Sequence, residues 1–240
     1  MDKIKTGVSY FGNRNPRHFV SDLEEILDHN CNFIVHTFSE NDFEYYRETI
    51  KELVSLSKEA GLECYLDPWG MGRVFGGEAY SGFALRNRDA NQILPDGEWA
   101  PAACLNHPRF RSFMRAWIDA AAETDADVLF WDEPHFYVDL KEKDKYPLWY
   151  CSCKTCSQRF EDIHHKPFDE VSLSEITQFR DECVVEFLKE LCDLAHTKNL
   201  KNAVCLLPFK DERIGISDWS RIAAIPSVDI FGTDPYWQFF

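Results

Sequence analysis

Short β-branched or aromatic runs alternate with segments of helical period along almost the whole 240-residue chain. A first strand is predicted at 7–12. Asn15-Pro16 follows it, a cap with a proline in the first helical turn, and then a helix with Phe19, Leu23, Ile26 and Leu27 on one face. A second strand at 32–38 leads to a helix from about Phe43 that carries Tyr46, Ile50, Leu53 and Val54 and stops at Gly61. The third strand, 62–66, runs into Asp67-Pro68-Trp69-Gly70. After a long insertion at 71–107, Phe110, Phe113, Met114, Trp117 and Ala121 mark the next helix, and the fourth strand, 127–131, ends in Asp132-Glu133-Pro134-His135. A second insertion, 137–171, precedes Ser172 and Glu175, a capping-box pair heading the longest helix. A fifth strand at 203–207, a short helix after Ser217 and a sixth strand at 228–232 complete the pattern.

Strict alternation of strands and helices implies a parallel sheet with helices outside it. FGNRNP after the first strand is not the glycine-rich phosphate turn of a doubly wound dinucleotide fold. Polar and aromatic residues gather instead after the third, fourth and sixth strands, the end at which a barrel builds its active site. The expected fold class is therefore α/β, a TIM-barrel type (β/α)8 fold with about six of its eight strand–helix units present.

Composition narrows the function. The net formal charge is −15 with no basic stretch, which argues against nucleic acid as a partner, because phosphate backbones are held by clustered Lys and Arg. No segment approaches the roughly 20 apolar residues of a membrane span, and the first residues lack a signal-peptide pattern, so the expectation is a cytoplasmic protein without a membrane partner. A homo-oligomer is compatible with the sequence. The nine cysteines are an odd number, several within strand or helix patterns, which favours thiols or metal ligands over disulfides.

Two clusters carry chemistry. In Trp131-Asp132-Glu133-Pro134-His135, alternation places adjacent carboxylates on opposite sides of the strand axis, one toward the barrel mouth and one free to make supporting hydrogen bonds. A Glu shielded by Trp131, Phe136 and like charge would hold its proton as a general acid requires. Asp67-Pro68-Trp69 and Asp234-Pro235-Tyr236-Trp237 repeat a carboxylate, a rigid turn and a flat ring, a combination suited to sugar hydroxyls and the apolar face of a pyranose; Phe209 is a further strand-end ring. The second cluster is Cys151-Ser152-Cys153-Lys154-Thr155-Cys156, three thiols that a tight turn can aim at one soft cation, with Cys104 the best fourth ligand and Asp89, His107, His164 and His165 weaker ones. Four cysteines would close the coordination sphere, giving a structural zinc that pins the two insertions. Cys31, Cys64, Cys183, Cys192 and Cys205 read as buried thiols.

The segment from Cys104 to Arg111 together with CSCKTCSQRF resembles the zinc-binding loops of family 42 glycoside hydrolases, the β-galactosidase type. WDEP resembles the strand-four Asn-Glu-Pro of the wider superfamily of retaining (β/α)8 glycosidases, with Asp132 where that superfamily has Asn. The likeness covers about residues 60 to 160. It implies Glu133 as acid/base, Cys104, Cys151, Cys153 and Cys156 as zinc ligands, and a carbohydrate substrate, with Asp132, Trp69, Asp67, His135, Asp234, Tyr236 and Trp237 as its contacts. It also implies a nucleophilic Glu on a seventh strand, so residues 1–240 are expected to be a single catalytic barrel domain truncated at its C-terminal side, with 71–107 and 137–171 carrying the zinc site. Asp234 could stand in as nucleophile. A non-catalytic carbohydrate-binding barrel is one alternative. A sugar isomerase or epimerase is another, but its metal would need His36, His135, Asp67 and Asp132, a loose set.

Overall fold

A computed structural model describes residues 4–11, 13–77, 79–207, 213 and 216–234. Six parallel strands form one sheet: β1 (Gly7–Tyr10), β2 (Phe33–Thr37), β3 (Glu63–Asp67), β6 (Val128–Asp132), β7 (Lys201–Leu206) and β8 (Ile230–Thr233), in that spatial order. In sequence between β3 and β6, a separate small antiparallel pair forms from β4 (Asn91–Ile93) and β5 (Trp99–Ala103). The six-stranded sheet is curled into a half-barrel, the architecture of a (β/α)8 barrel with six of its units, as the alternation predicted. No helix among the described residues is long and apolar enough to cross a membrane.

Local sequence explains the helix boundaries. Helix α1 (Pro16–Asp28) starts at Asn15, whose side chain accepts from Arg17 N, with Pro16 in the first turn. The helix expected from Phe43 is two: α2 (Glu40–Tyr45), opened by a Ser39–Asp42 capping box, and α3 (Arg47–Glu59), with Tyr46 non-helical between them. The insertion 71–107 contains a short helix α4 (Gly82–Arg86) besides the β4–β5 pair, and α5 (Pro108–Ala122) follows it. The insertion 137–171 contains α6 (Lys154–His164). The Ser172–Glu175 capping box opens α7 (Leu173–Thr197), and α8 (Trp219–Ala223) joins β7 to β8.

Alternation along the strands sorts side chains between two cores. Val35, Tyr65, Val128 and Ala203, with Phe33 and Phe130, fill the concave face. Ile34, Cys64, Leu66, Leu129, Trp131, Val204 and Leu206 face outward into the larger core beneath the helices. Trp131 belongs to this outer set. It is fully buried, donates from Nε1 to Asn202 Oδ1 at 2.8 Å and packs against Trp117 and Phe75. Phe136 is buried in the same core. The rings expected to shield Glu133 at the mouth therefore support the sheet from behind, because an aromatic residue two places before Glu133 and one place before an inward Asp132 must point outward.

Candidate active site and metal centre

The period that fills the concave core also places its polar rim. Asp67 shares a face with Tyr65, Asp132 with Phe130, and Cys205 with Ala203. Asp132 pairs with Cys205 across β6 and β7, and Cys205 pairs with Gly232 across β7 and β8, so Asp234, two residues past Gly232, continues the row. Asp67, Asp132, Glu133 and Asp234 line one cleft of about 740 Å³ together with Trp69, Arg73, Phe75, Gly76, His135 and Tyr137.

Strand alternation would send Glu133 to the opposite side from Asp132. The backbone prevents this: β6 ends at Asp132, and Glu133 takes φ 44°, a left-handed conformation unusual for a non-glycine residue. Its N–H still donates to Cys205 O at 2.9 Å, so the turn is fixed against β7. Both carboxylates consequently enter the cleft, where the sequence predicted only one. Gly76 lies between them. A Cβ there would stand 2.2 Å from Asp132 Oδ2 and 3.3 Å from Glu133 Oε2, so only glycine allows this approach. Gly76 N donates to Asp132 O and His135 N to Val74 O, each at 2.9 Å, which ties the segment after β3 to the end of β6.

Electrostatics set the protonation of the rim. Asp67 is 2% exposed, and its Oδ1 finds no hydrogen-bond partner among the described residues. Burial, and then the charges of Asp132, Asp234 and Glu133, hold its proton well above the usual carboxylate range. The Cys205 thiol lies 3.4 Å from Asp234 Oδ1 and is pushed up by burial and by Asp234 and Asp132. His135 is shifted down, mainly by removal from water and further by Arg73. Trp69 forms the aromatic wall with Phe11, their centroids 4.6 Å apart. Tyr236, Trp237 and Phe209 lie outside the described residues. His36 faces outward, its Nε2 2.9 Å from Ser57 Oγ, and is not at the mouth.

The four predicted cysteines meet. The sulfurs of Cys104, Cys151, Cys153 and Cys156 all lie within 4.8 Å of one another, with Cys104 3.4 Å from Cys156 and 3.6 Å from Cys153. A tetrahedral cation with metal–sulfur bonds of 2.3 Å spaces its sulfurs about 3.8 Å apart, so this all-thiol set fits one. The expected tight turn is a helix start: Cys153 occupies the N-cap of α6 and Cys156 its first turn. The neighbouring thiols hold Cys153 well below the usual thiol range by hydrogen bonding to its sulfur.

Three supporting residues were not anticipated. Asn106 donates from Nδ2 to Cys156 Sγ (3.3 Å) and Cys183 Sγ (3.0 Å), the kind of outer contact that orients a metal ligand. Gln92, at the start of the small hairpin, donates to Ala103 O and accepts from Tyr137 N at 3.0 Å, linking the cysteine-pinned hairpin to the cleft wall. Glu40 is buried and accepts from Gly72 N, Ser81 Oγ and Phe83 N, fixing the start of the first insertion. Ser152 N donates to Ile93 O, so the two insertions adjoin as expected.

No family model matches the sequence, and no curated protein does. Solved structures are similar in fold. A β-galactosidase from Bacillus circulans sp. alkalophilus superposes with a TM-score of 0.66 at 14% identity over 98% of this chain and 40% of its own. A GH20 exo β-N-acetylglucosaminidase from Vibrio harveyi, in complex with N-acetylglucosamine, gives 0.56 at 9% identity over 84% of this chain and 35% of its own. A D-psicose 3-epimerase in the presence of D-fructose gives 0.50 at 10% over 96% and 62%. This chain thus spans less than two thirds of the length of each, and at these identities the likeness is one of fold.

Proposed function

We propose that this chain is part of a carbohydrate-active enzyme of the glycoside hydrolase class, in which Glu133 is the acid/base of a retaining cleavage. The observation that carries the reading is the left-handed turn at Glu133, which brings its carboxylate beside that of Asp132 in a cleft walled by Trp69 and Phe11. Strained backbone at a strand end persists where a side chain must be aimed. In this reading Glu133 protonates the glycosidic oxygen and later takes a proton from water. Trp69 covers the apolar face of a pyranose ring, while Asp67, Asp132, His135 and Asp234, with Tyr236 and Trp237, bind its hydroxyls. Asp67, which keeps its proton, is a hydrogen-bond donor where Asp132 is an acceptor. The attacking carboxylate of a retaining pair stands roughly 5 to 5.5 Å from the acid. The reading assigns it to a part of the enzyme outside the six described strands, with Asp234 the described carboxylate able to stand in.

The same reading gives Cys104, Cys151, Cys153 and Cys156 a structural zinc, which would hold the two insertions together without activating water. Kinetics of the intact enzyme test the central assignment. Glu133→Gln should lower turnover of glycosides with poor leaving groups by about 10²- to 10⁴-fold while sparing activated aryl glycosides. Equal loss on both classes would remove Glu133 from the acid role.

A further inference from the structure

Hydrolysis by Glu133 gives no role to Cys205, a thiol set between two carboxylates at the head of the cleft. Alternation and register make the arrangement. Asp132 and Cys205 are cross-strand partners on β6 and β7, Cys205 pairs with Gly232, and Asp234 directly follows β8. One oxygen of each Asp and the sulfur of Cys205 all lie within 4.8 Å of one another. Ligands of a tetrahedral cation bound through oxygen at about 2.1 Å and sulfur at 2.3 Å stand roughly 3.4 to 3.8 Å apart. The observed Cys205 Sγ to Asp234 Oδ1 distance is 3.4 Å. A separate observation points to the same place. Asp67 Oδ1, buried on the same concave face and lining the same cleft, has no hydrogen-bond partner among the described residues. A buried oxygen left without a partner is costly, and a cation or a water bound to it would supply the missing contact.

We infer that the cleft holds a divalent cation of the zinc type, ligated by Asp132, Cys205 and Asp234 beside the unpartnered oxygen of Asp67. The ligand chemistry selects the class of metal. Magnesium and calcium take oxygen ligands only, whereas zinc and its late first-row neighbours accept thiolate and carboxylate together. Three protein ligands leave a position open toward the cleft, unlike the four cysteines, which close theirs. The site is also distinct in origin: its ligands come from β6, β7 and the residue after β8, and those of the cysteine set from the two insertions.

Metal content tests this without any need for turnover, so this site and the acid role of Glu133 fail separately. The full chain, stripped with a chelator under reducing conditions, reloaded with zinc and freed of excess, is analysed for zinc per chain beside Cys205→Ala and Asp234→Asn, with circular dichroism confirming that each is folded. Both variants should carry one zinc fewer than the parent. Asp234→Asn keeps the shape of a partly exposed side chain, so its loss cannot be assigned to unfolding of the sheet. Equal zinc in the parent and both variants would overturn the site, and so would a loss confined to Cys205→Ala.

Discussion

The cysteine group and the carboxylate group are each four ionisable side chains drawn together from distant parts of the chain, yet they are built for opposite ends. The cysteines come from a hairpin end and a helix start, close on one another and leave no open side. The carboxylates come from the ends of β3, β6 and β8 and surround a cleft of about 740 Å³. The thiols tolerate a buried cluster because the others hydrogen-bond to the sulfur of Cys153, which they hold well below the usual thiol range. Carboxylates repel, and Asp67 relieves the repulsion by keeping its proton. A closed ligand set suits a structural metal, and an open one leaves room for a bound molecule.

The largest effect that separates the two should come from Cys104→Ser. With the thiol set holding zinc as proposed, losing one ligand should reduce bound zinc and lower stability by several kcal/mol, on the order of a third of what such sites supply to small zinc domains. Hydrogen exchange should accelerate at 91–103 and 134–139, which Gln92 couples, while β2 and β3 remain protected. Uniform loss of protection would show that the cysteine group supports the whole barrel. Gly76→Ala should act at the other group: its methyl meets Asp132 Oδ2 at 2.2 Å, so about 1 to 3 kcal/mol of stability is lost and the cleft no longer admits both carboxylates. Denaturation and sugar or zinc binding measure the two parts separately.

The dependence on pH sharpens the contrast further. His36, buried and neutral, is lowered to about 4 by burial and then by Arg14. Below 6.5 the unfolded chain binds more protons there than the folded one, so stability falls by about 3 kcal/mol as pH drops from 6.5 to 4. Asp67 works in the reverse sense. Its folded value lies above its unfolded one, so the folded state binds the extra proton and stability declines as pH rises past the usual carboxylate range. In the metal-free protein Asp67→Asn should therefore be more stable than the parent at alkaline pH, with the advantage vanishing in acid. A constant difference across pH would refute the protonated Asp67. The smallest expected effect is that of Gln92→Ala, about 1 to 2 kcal/mol, since Tyr137 N and Ala103 O lose the partner that the buried Gln92 supplies.

Local signals in the sequence reported well. The Ser172–Glu175 box, Asn15-Pro16 and the run of cysteines from 151 to 156 each act within a few residues, and each is where it was expected. The hairpin escaped notice because its strands are three and five residues long and Pro101 interrupts the second. The start of helix α6 is hard to read from the sequence because a turn ligand and a helix cap share the same extended backbone, which Cys153 adopts. The mouth depended on facts that no window contains. Cys205 looks like any thiol within an apolar strand until register sets it opposite Asp132. Nothing in the WDEP segment announces the left-handed turn that gathers both of its carboxylates, and the outward parity of Trp131 keeps its ring away from the mouth. Glu40 carries no local signal, since its three donors come from residues 72 to 83.

Gly76 offers a means of sorting other barrels by sequence. An Asp-Glu-Pro at the end of a strand is common enough to mislead, and the packing of its two acids into one space leaves a second trace elsewhere in the chain. That trace is a residue with no side chain, in the segment that follows the preceding barrel strand, opposite the aspartate. A barrel with a bulkier residue there must hold its acids apart, however well its tetrapeptide matches. The pair of positions, read together, is therefore a stricter fingerprint for this arrangement than either alone.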